Sequence, residues 1–132
     1  MSRRVSVLTF DIGNDQWLTS NRHITNRPHR ARIIRDLHGI AAGVALADRL
    51  KPVAAPVECI WTVHYPKGVR TDKGEASNAQ PTTKALLDGL VPRWLPDDGP
   101  AWVTRETFER GANLPHRGVH TVVLTLRTAD PT

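Results

Sequence analysis

Hydrophobic and polar residues alternate at four places along the chain, and this alternation predicts β-strands over residues 5–10, 57–65, 101–110 and 119–127. Elsewhere the apolar residues recur three and four positions apart. That spacing predicts one helix over residues 28–50, starting near Pro28, and a second over residues 81–90, with Asn78 or Gln80 near its cap.

The segments between these elements are rich in polar and turn-forming residues. They predict a turn at residues 11–14, a polar loop at 67–78, a second loop at 92–100, and a turn at 111–118 that joins the last two strands into a hairpin. We therefore predict a single α+β domain over residues 1–128, with a mixed sheet of about four strands, residues 57–65 as a central strand, and two main helices. Residues 129–132 are expected to fray.

Composition narrows the class of protein. Hydrophobic residues make up 39% of the chain and charged residues 23%, which is typical of globular proteins. The longest apolar stretch, residues 39–47, is well short of the ~20 residues that a membrane helix needs, and the N-terminus lacks the apolar block of a secretory signal. We expect a protein that is neither exported nor membrane-bound. The single cysteine, Cys59, excludes an internal disulfide and a cysteine-rich metal site, and its apolar neighbours favour a buried thiol.

Positive charge is concentrated in one segment. The chain has a formal net charge of +5, and residues 21–35 contain five arginines and two histidines with no acidic residue before Asp36. Such a segment suits a polyanion such as nucleic acid, particularly where it enters a helix whose first backbone N–H groups are unpaired. A solvated basic helix face is an equal alternative at this stage.

Acidic residues in two polar loops are candidates for a metal site. Asp72 and Glu75 lie in the first loop, and Asp97 and Asp98 are adjacent in the second. Carboxylates of this kind bind Mg²⁺, although a pair of aspartates between prolines also commonly forms turns. Lys84, early in the second predicted helix, is placed to steady a phosphate or to be a solvated helix lysine. Zinc-hydrolase, nucleophilic-serine and nucleotide-cradling motifs are absent from the sequence.

Four segments together resemble the RusA family of Holliday junction resolvases found in phages and prophages. The sequence LTSNRH at residues 18–23 resembles an early element of that family, and WTVHYP at 61–66 resembles its second long strand. The segment EASNAQPTTKALLDGL at residues 75–90 is similar to the family pattern without a gap from Asn78 to Leu90. LPDD at residues 95–98 matches the element that completes the acidic site.

The resemblance implies a RusA-like fold and a homodimeric, Mg²⁺-dependent endonuclease that cuts four-way DNA junctions, with Mn²⁺ as a substitute ion. It also implies the cytoplasm of a bacterial host. By position, Glu75 and Asp98 match catalytic carboxylates, with Asp97 beside Asp98, and Lys84 matches a catalytic lysine. The metal ligands would then be Glu75, Asp98, Asp97 and Asp72, and we expect Glu75 and Asp98 to converge. The expected DNA-binding residues are Asn21, Arg22, His23, Arg27, Arg30, Arg32 and Asn78.

Ser77 departs from the family pattern, because it stands where a second aspartate is expected. A neutral hydroxyl attracts a divalent cation less strongly than a carboxylate does. Asp72 is one substitute for the missing ligand. The alternative is a catalytically impaired protein of the same fold that binds branched DNA without cutting it, and a third hypothesis is a basic protein that binds another protein.

Overall fold

Strands and helices follow one another in the predicted order, with two short 3₁₀ turns added. The computed structural model describes residues 4–70 and 73–128. Its elements are β1 (Val5–Gly13), a 3₁₀ turn (Asn14–Gln16), α1 (Arg27–Ala47), β2 (Val57–His64), a second 3₁₀ turn (Ala76–Ala79), α2 (Gln80–Asp88), β3 (Val103–Arg110) and β4 (Val119–Thr128).

The four strands form one mixed sheet in the order β1-β4-β2-β3. β4 is antiparallel to both β1 and β2, whereas β3 is parallel to β2. Together with the two helices, this sheet confirms the predicted α+β single domain. It also confirms that β2 lies inside the sheet.

The hydrophobic core lies between one face of the sheet and the two helices. Alternate strand residues such as Phe10, Trp61 and Leu124 are fully buried there against Leu37 of α1 and Leu86 of α2. The same parity buries Cys59, and burial raises the pKa of its thiol to about 12, with the nearby Glu106 carboxylate as a second cause. The prediction of a buried, unreactive thiol is therefore confirmed.

The predicted hairpin between the last two strands is wrong. β2 lies between β3 and β4, so residues 111–118 cross over the end of β2 rather than making a tight turn. The side chain of Trp61 helps to hold β3 beside β2, since its indole N–H donates to Glu106 at 3.0 Å. Adjacency in sequence was a poor guide to pairing here because a strand pattern does not specify its partner.

Three element boundaries also differ from the prediction. β1 continues through Asp11–Gly13, where we predicted a turn, because Ile12 is buried and pairs with His120. α1 begins at Arg27 because the side chain of Asn26 accepts a hydrogen bond from the His29 N–H at 3.0 Å. It ends at Ala47, before Arg49, whose φ of 54° is left-handed and cannot continue a helix.

The start of α2 agrees with the prediction to within one residue. Its N-cap is Ala79, which makes no side-chain cap hydrogen bond and lies between Asn78 and Gln80, the residues predicted near the cap. In the described ranges, no helix has the length and apolar character needed to cross a membrane. The predicted fraying of residues 129–132, and the proposed ligand Asp72, lie outside the described residues.

Candidate functional site

Lys84 joins two carboxylates that are ten residues apart in sequence, Asp88 and Asp98. Its Nζ lies 2.9 Å from Asp88 Oδ1 and also donates to Asp98 Oδ2. Lys84 and Asp98 keep 49% and 27% of their side-chain surface exposed, so a ligand can reach both. We call Lys84, Asp88 and Asp98 the carboxylate–lysine cluster.

Two different local features bring the cluster together. Lys84 and Asp88 are one helical turn apart on α2, a spacing at which oppositely charged side chains meet. Asp98 arrives from the loop after α2, whose first part is anchored by the buried side chains of Trp94 and Leu95. The Trp94 carbonyl accepts a hydrogen bond from the Val53 N–H at 2.8 Å, which ties this loop to the segment before β2.

The cluster changes the proton affinity of its members. The hydrogen bond from Lys84 is the main cause of a lowered pKa at Asp98, and the Asp88 carboxyl is the second cause. The same contacts, first to Asp98 and then to Asp88, raise the pKa of Lys84. The lowered pKa of Asp98 and the raised pKa of Lys84 both favour the charged forms of this pair.

An open groove of about 190 Å³ between α1 and α2 leads to this cluster. Arg30 of α1 lines it on one side, and Lys84 and Asp88 of α2 line it on the other. The remaining basic side chains predicted to bind DNA, on the segment before α1 and on its first turns, are exposed: Arg22, His23, Arg27 and Arg32. The basic surface and the carboxylate–lysine cluster thus adjoin one another at Arg30.

A second, polar cavity of about 300 Å³ lies near the start of α2. It is lined by Asn21, Lys73, Gly74, Glu75 and Asn78. Three hydrogen bonds hold the segment before α1 at this place. The Ser20 N–H donates to the Asn78 carbonyl at 3.0 Å, and the Thr82 hydroxyl pairs with the backbone of Leu18.

Tyr65 and Arg110 fix the loop that carries Glu75. The Tyr65 hydroxyl donates to the Glu75 carbonyl at 2.8 Å. The Arg110 guanidinium donates to the Lys73 carbonyl at 3.0 Å and to Asn113 Oδ1 at 2.8 Å, and it lies 5.0 Å from the centre of the Tyr65 ring. The backbone next to Glu75 is therefore held by the sheet, while the Glu75 side chain is exposed.

A buried histidine packs against Tyr65, the residue that holds the loop carrying Glu75. The His120 ring stacks on Trp17 at a centroid distance of 3.9 Å and an interplanar angle of 8°, and it meets the edge of Tyr65. Its Nδ1 is buried, and no group in the described part of the chain forms a hydrogen bond with it. Burial lowers the pKa of His120 to about 4, so the ring is neutral at physiological pH.

The structure brings together only some of the residues predicted to bind a metal. Glu75 lies near the carboxyl end of β2, whereas Asp98 reaches the middle of α2, and no contact joins the two carboxylates. The Asp97 carboxylate lies against Gly99 and forms no ion pair within residues 4–70 and 73–128. Over the same ranges, no three His, Cys, Asp or Glu side chains form a group that could hold a metal ion.

The carboxylate–lysine cluster nevertheless has the chemistry that Mg²⁺ requires. Magnesium commonly takes one or two protein carboxylates and completes its shell with water and phosphate oxygens. Asp88 and Asp98 supply such a pair. The Lys84 ammonium lies between them, in a position that suits a cation. Asp88 is not among the site residues predicted from the sequence, although its spacing of four residues from Lys84 is a signal that could identify it.

Comparison with protein-family models and with curated proteins found no match for this chain.

Proposed function

We propose that this protein is a Mg²⁺-dependent endonuclease that cuts branched DNA at four-way junctions, as its resemblance to the RusA family implies. The observation that carries the proposal is the groove where Arg30 faces Lys84 and Asp88, next to Asp98. A pair of carboxylates for a divalent cation is there combined with basic groups for the phosphate backbone. On the same resemblance we assign it to the cytoplasm of a bacterial host, as a phage or prophage protein that acts as a homodimer.

Each member of the carboxylate–lysine cluster has a role in this proposal. Asp88 and Asp98 would hold Mg²⁺, or Mn²⁺ in its place. The ion, when bound, supplies a Lewis acid that polarises a phosphate oxygen and lowers the pKa of a coordinated water molecule. Lys84 would move from the carboxylates to the scissile phosphate and offset the negative charge that develops there.

The arginines and the second cavity would position the DNA. Arg27, which is exposed, and Arg30, which is half-buried in the groove, lie in the first turns of α1, where cations bind phosphates without reading sequence. Asn21, Glu75 and Asn78 line the polar cavity near the start of α2, and we assign them contacts to a DNA strand at the branch point. Glu75 would thereby bind substrate rather than share the ion with Asp98.

A second candidate function is binding of branched DNA without cleavage. It is favoured by Ser77, an exposed serine where the resemblance expects an aspartate. It is also favoured by the position of Glu75, which lines the polar cavity while Asp98 contacts Lys84. In that case Lys84 would keep its two carboxylates and the arginines alone would act on DNA.

Cleavage of a synthetic four-way junction separates these functions. With Mg²⁺ the proposed nuclease nicks paired strands at the branch, leaves a linear duplex of the same sequence intact, and stops when EDTA is added. Tight junction binding with no product in either Mg²⁺ or Mn²⁺ would establish the binding function instead. Neither binding nor cleavage would reject both and favour a protein partner.

The salt dependence of junction binding tests the role of the basic surface. We expect the logarithm of affinity to fall linearly with the logarithm of salt concentration, and Arg27→Ala to reduce that slope by about 0.9 for each phosphate contact it removes. Arg105→Ala is the matched control, since Arg105 is exposed on β3, far from α1 along the sheet order, and should leave the slope unchanged. A wild-type slope near zero would reject the proposal that this surface binds DNA. The measurement is fluorescence anisotropy of a labelled junction across a salt series in Ca²⁺ or EDTA.

A further inference from the structure

A groove of about 270 Å³ lies at the C-terminal end of α1, between the start of β1 and residues 48–51. We call it the end groove. The 21 residues of α1 place the two ends of this helix about 30 Å apart. Arg30, which lines the groove of the proposed nuclease, lies in the first turns of the same helix. The end groove is therefore a separate place on the molecule.

Positive charge predominates in the end groove. Arg4, Arg49 and Lys51 line it, and Asp48 is the one acidic residue among the described residues that do so. Arg49 and Lys51 are exposed, and in the described part of the chain their side chains form no hydrogen bond or ion pair. The end groove therefore presents two cations that can contact a ligand without first breaking a bond inside the protein.

Hydrogen bonds fix both walls of the end groove. The Arg4 guanidinium donates to the Lys51 carbonyl at 2.8 Å and to the Pro52 carbonyl at 3.2 Å, and so joins the start of β1 to the segment after α1. That segment is also tied to the helix, because the Leu50 N–H donates to the Ala45 carbonyl at 2.9 Å. A ligand would thus enter a preformed groove, which lowers the entropic cost of binding.

The backbone of β1 adds a hydrogen-bond donor to the end groove. Arg4 and Asn14 both bond toward β4, because the Arg4 carbonyl accepts from the Thr128 N–H and the Asn14 N–H donates to the Gly118 carbonyl, each at 3.0 Å. In an antiparallel ladder, every second residue between them bonds in the same direction. The N–H of Val7, which lines the end groove, therefore faces away from β4, and no described group accepts a hydrogen bond from it.

Arg49 has an unusual backbone conformation for an arginine. Its φ of 54° is left-handed, and it follows the C-cap Asp48, at a position that glycine most often fills. A residue with a Cβ is less stable in this conformation than glycine, because the Cβ crowds a carbonyl oxygen. The bonds that end α1 come from backbone groups alone and do not require an arginine. Binding of a ligand by the guanidinium would account for the strain.

We propose that the end groove binds a phosphate group, supplied either by a small phosphate compound or by a nucleic acid backbone. A phosphate has several acceptor oxygens, so it can accept hydrogen bonds from Arg49, Lys51 and the Val7 N–H together. The excess of positive charge favours an anion over a neutral ligand. No residue of the end groove belongs to the carboxylate–lysine cluster or to the polar cavity, so this site goes beyond the proposed nuclease function.

Titration of the full-length protein with inorganic pyrophosphate, followed by NMR in EDTA at constant ionic strength, tests the proposal. We expect the amide signals of Val7, Arg49 and Lys51 to shift and saturate, and acetate to leave them in place. Arg49→Gly should weaken pyrophosphate binding about tenfold or more, because it removes a charged donor. It should also remain folded, since glycine adopts the left-handed conformation readily. Arg105→Ala, on β3, is the matched control and should bind as wild type does.

A short DNA duplex distinguishes the two sources of phosphate. If the ligand is a nucleic acid backbone, the duplex shifts the same three amides, and Arg49→Gly reduces those shifts. If the ligand is a small phosphate compound, pyrophosphate shifts these amides and the duplex does not. Either result supports a phosphate site in the end groove.

Two results would overturn the proposal. One is the absence of saturable shifts at Val7, Arg49 and Lys51, and the other is unchanged pyrophosphate affinity in Arg49→Gly, as expected if this arginine serves only the end of α1. Circular dichroism verifies folding, and Lys51→Ala, with the same expected loss, keeps the test valid if the glycine variant is unfolded. Pyrophosphate binding by a protein that cuts no junction would support the end groove and reject the nuclease, so the two proposals fail separately.

Discussion

Replacement of Asp98 by asparagine is expected to slow junction cleavage on the order of 100-fold or more while leaving junction affinity within about twofold. Asparagine keeps the size of the side chain but removes one of the two negative charges that would hold the cation. Binding is retained because the arginines of α1 do not depend on this carboxylate. The measurement is the single-turnover nicking rate in Mg²⁺, with affinity measured in Ca²⁺.

Matched variants locate the effect within the site. Asp88→Asn should lose activity to a similar degree, because Asp88 is the second carboxylate on Lys84. Asp97→Asn is the control, since the Asp97 carboxylate lies against Gly99 outside the cluster. Stability should change little in all three, because exposed ion pairs contribute at most about 1 kcal/mol. Loss of cleavage in Asp97→Asn, with normal rates in Asp98→Asn and Asp88→Asn, would show that the metal site does not include Asp88 of α2.

Acidification from pH 7.5 to 5.0 is expected to remove about 2 kcal/mol of folding stability through His120 alone. The folded-state pKa of about 4 lies below the ordinary value of 6.5. Between those two values the unfolded chain binds a proton that the folded chain does not. The stabilisation is therefore complete above pH 6.5 and is lost progressively as the pH falls toward 4.

Urea unfolding of His120→Gln at the two pH values measures this contribution. The variant has lower stability at pH 7.5 because it loses the stack on Trp17, but it should lose about 2 kcal/mol less than wild type on acidification. His116→Gln is the control, since His116 is exposed, and it should follow the wild-type pH dependence. Equal losses in wild type and His120→Gln would mean that the buried ring does not exclude the proton.

Much of the fold could be predicted from the sequence because each element buries one face. Alternation in β4 and the spacing of Ile33, Leu37 and Ala41 in α1 record that burial directly. Hydrophobic alternation does not show which strands pair with one another, so the predicted hairpin between β3 and β4 was wrong. Strand β1 was predicted too short because Asp11 and Gly13 are typical of turns, while the burial of Ile12 between them decided the conformation.

Part of the candidate site could likewise be predicted from the sequence, and part could not. The contact between Lys84 and Asp88 follows from helical spacing and was open to prediction. The approach of Asp98 depends on how Trp94 and Leu95 seat the following loop in the core, which no local pattern specifies. The predicted convergence of Glu75 with Asp98 relied on the order of motifs alone; in the structure Glu75 lines the polar cavity, while Asp98 contacts Lys84.

Whether Asp88 and Asp98 hold the divalent cation can be tested by Mn²⁺ titration of the wild-type protein followed by NMR. Paramagnetic Mn²⁺ broadens amide signals near its binding site, so no variant and no DNA substrate are needed. We expect the amides of Lys84, Asp88 and Asp98 to lose intensity first as Mn²⁺ is added. Early broadening around Glu75 and Asn78 with sharp signals from Asp88 and Asp98, or no selective broadening at millimolar Mn²⁺, would show that the carboxylate–lysine cluster does not bind the cation.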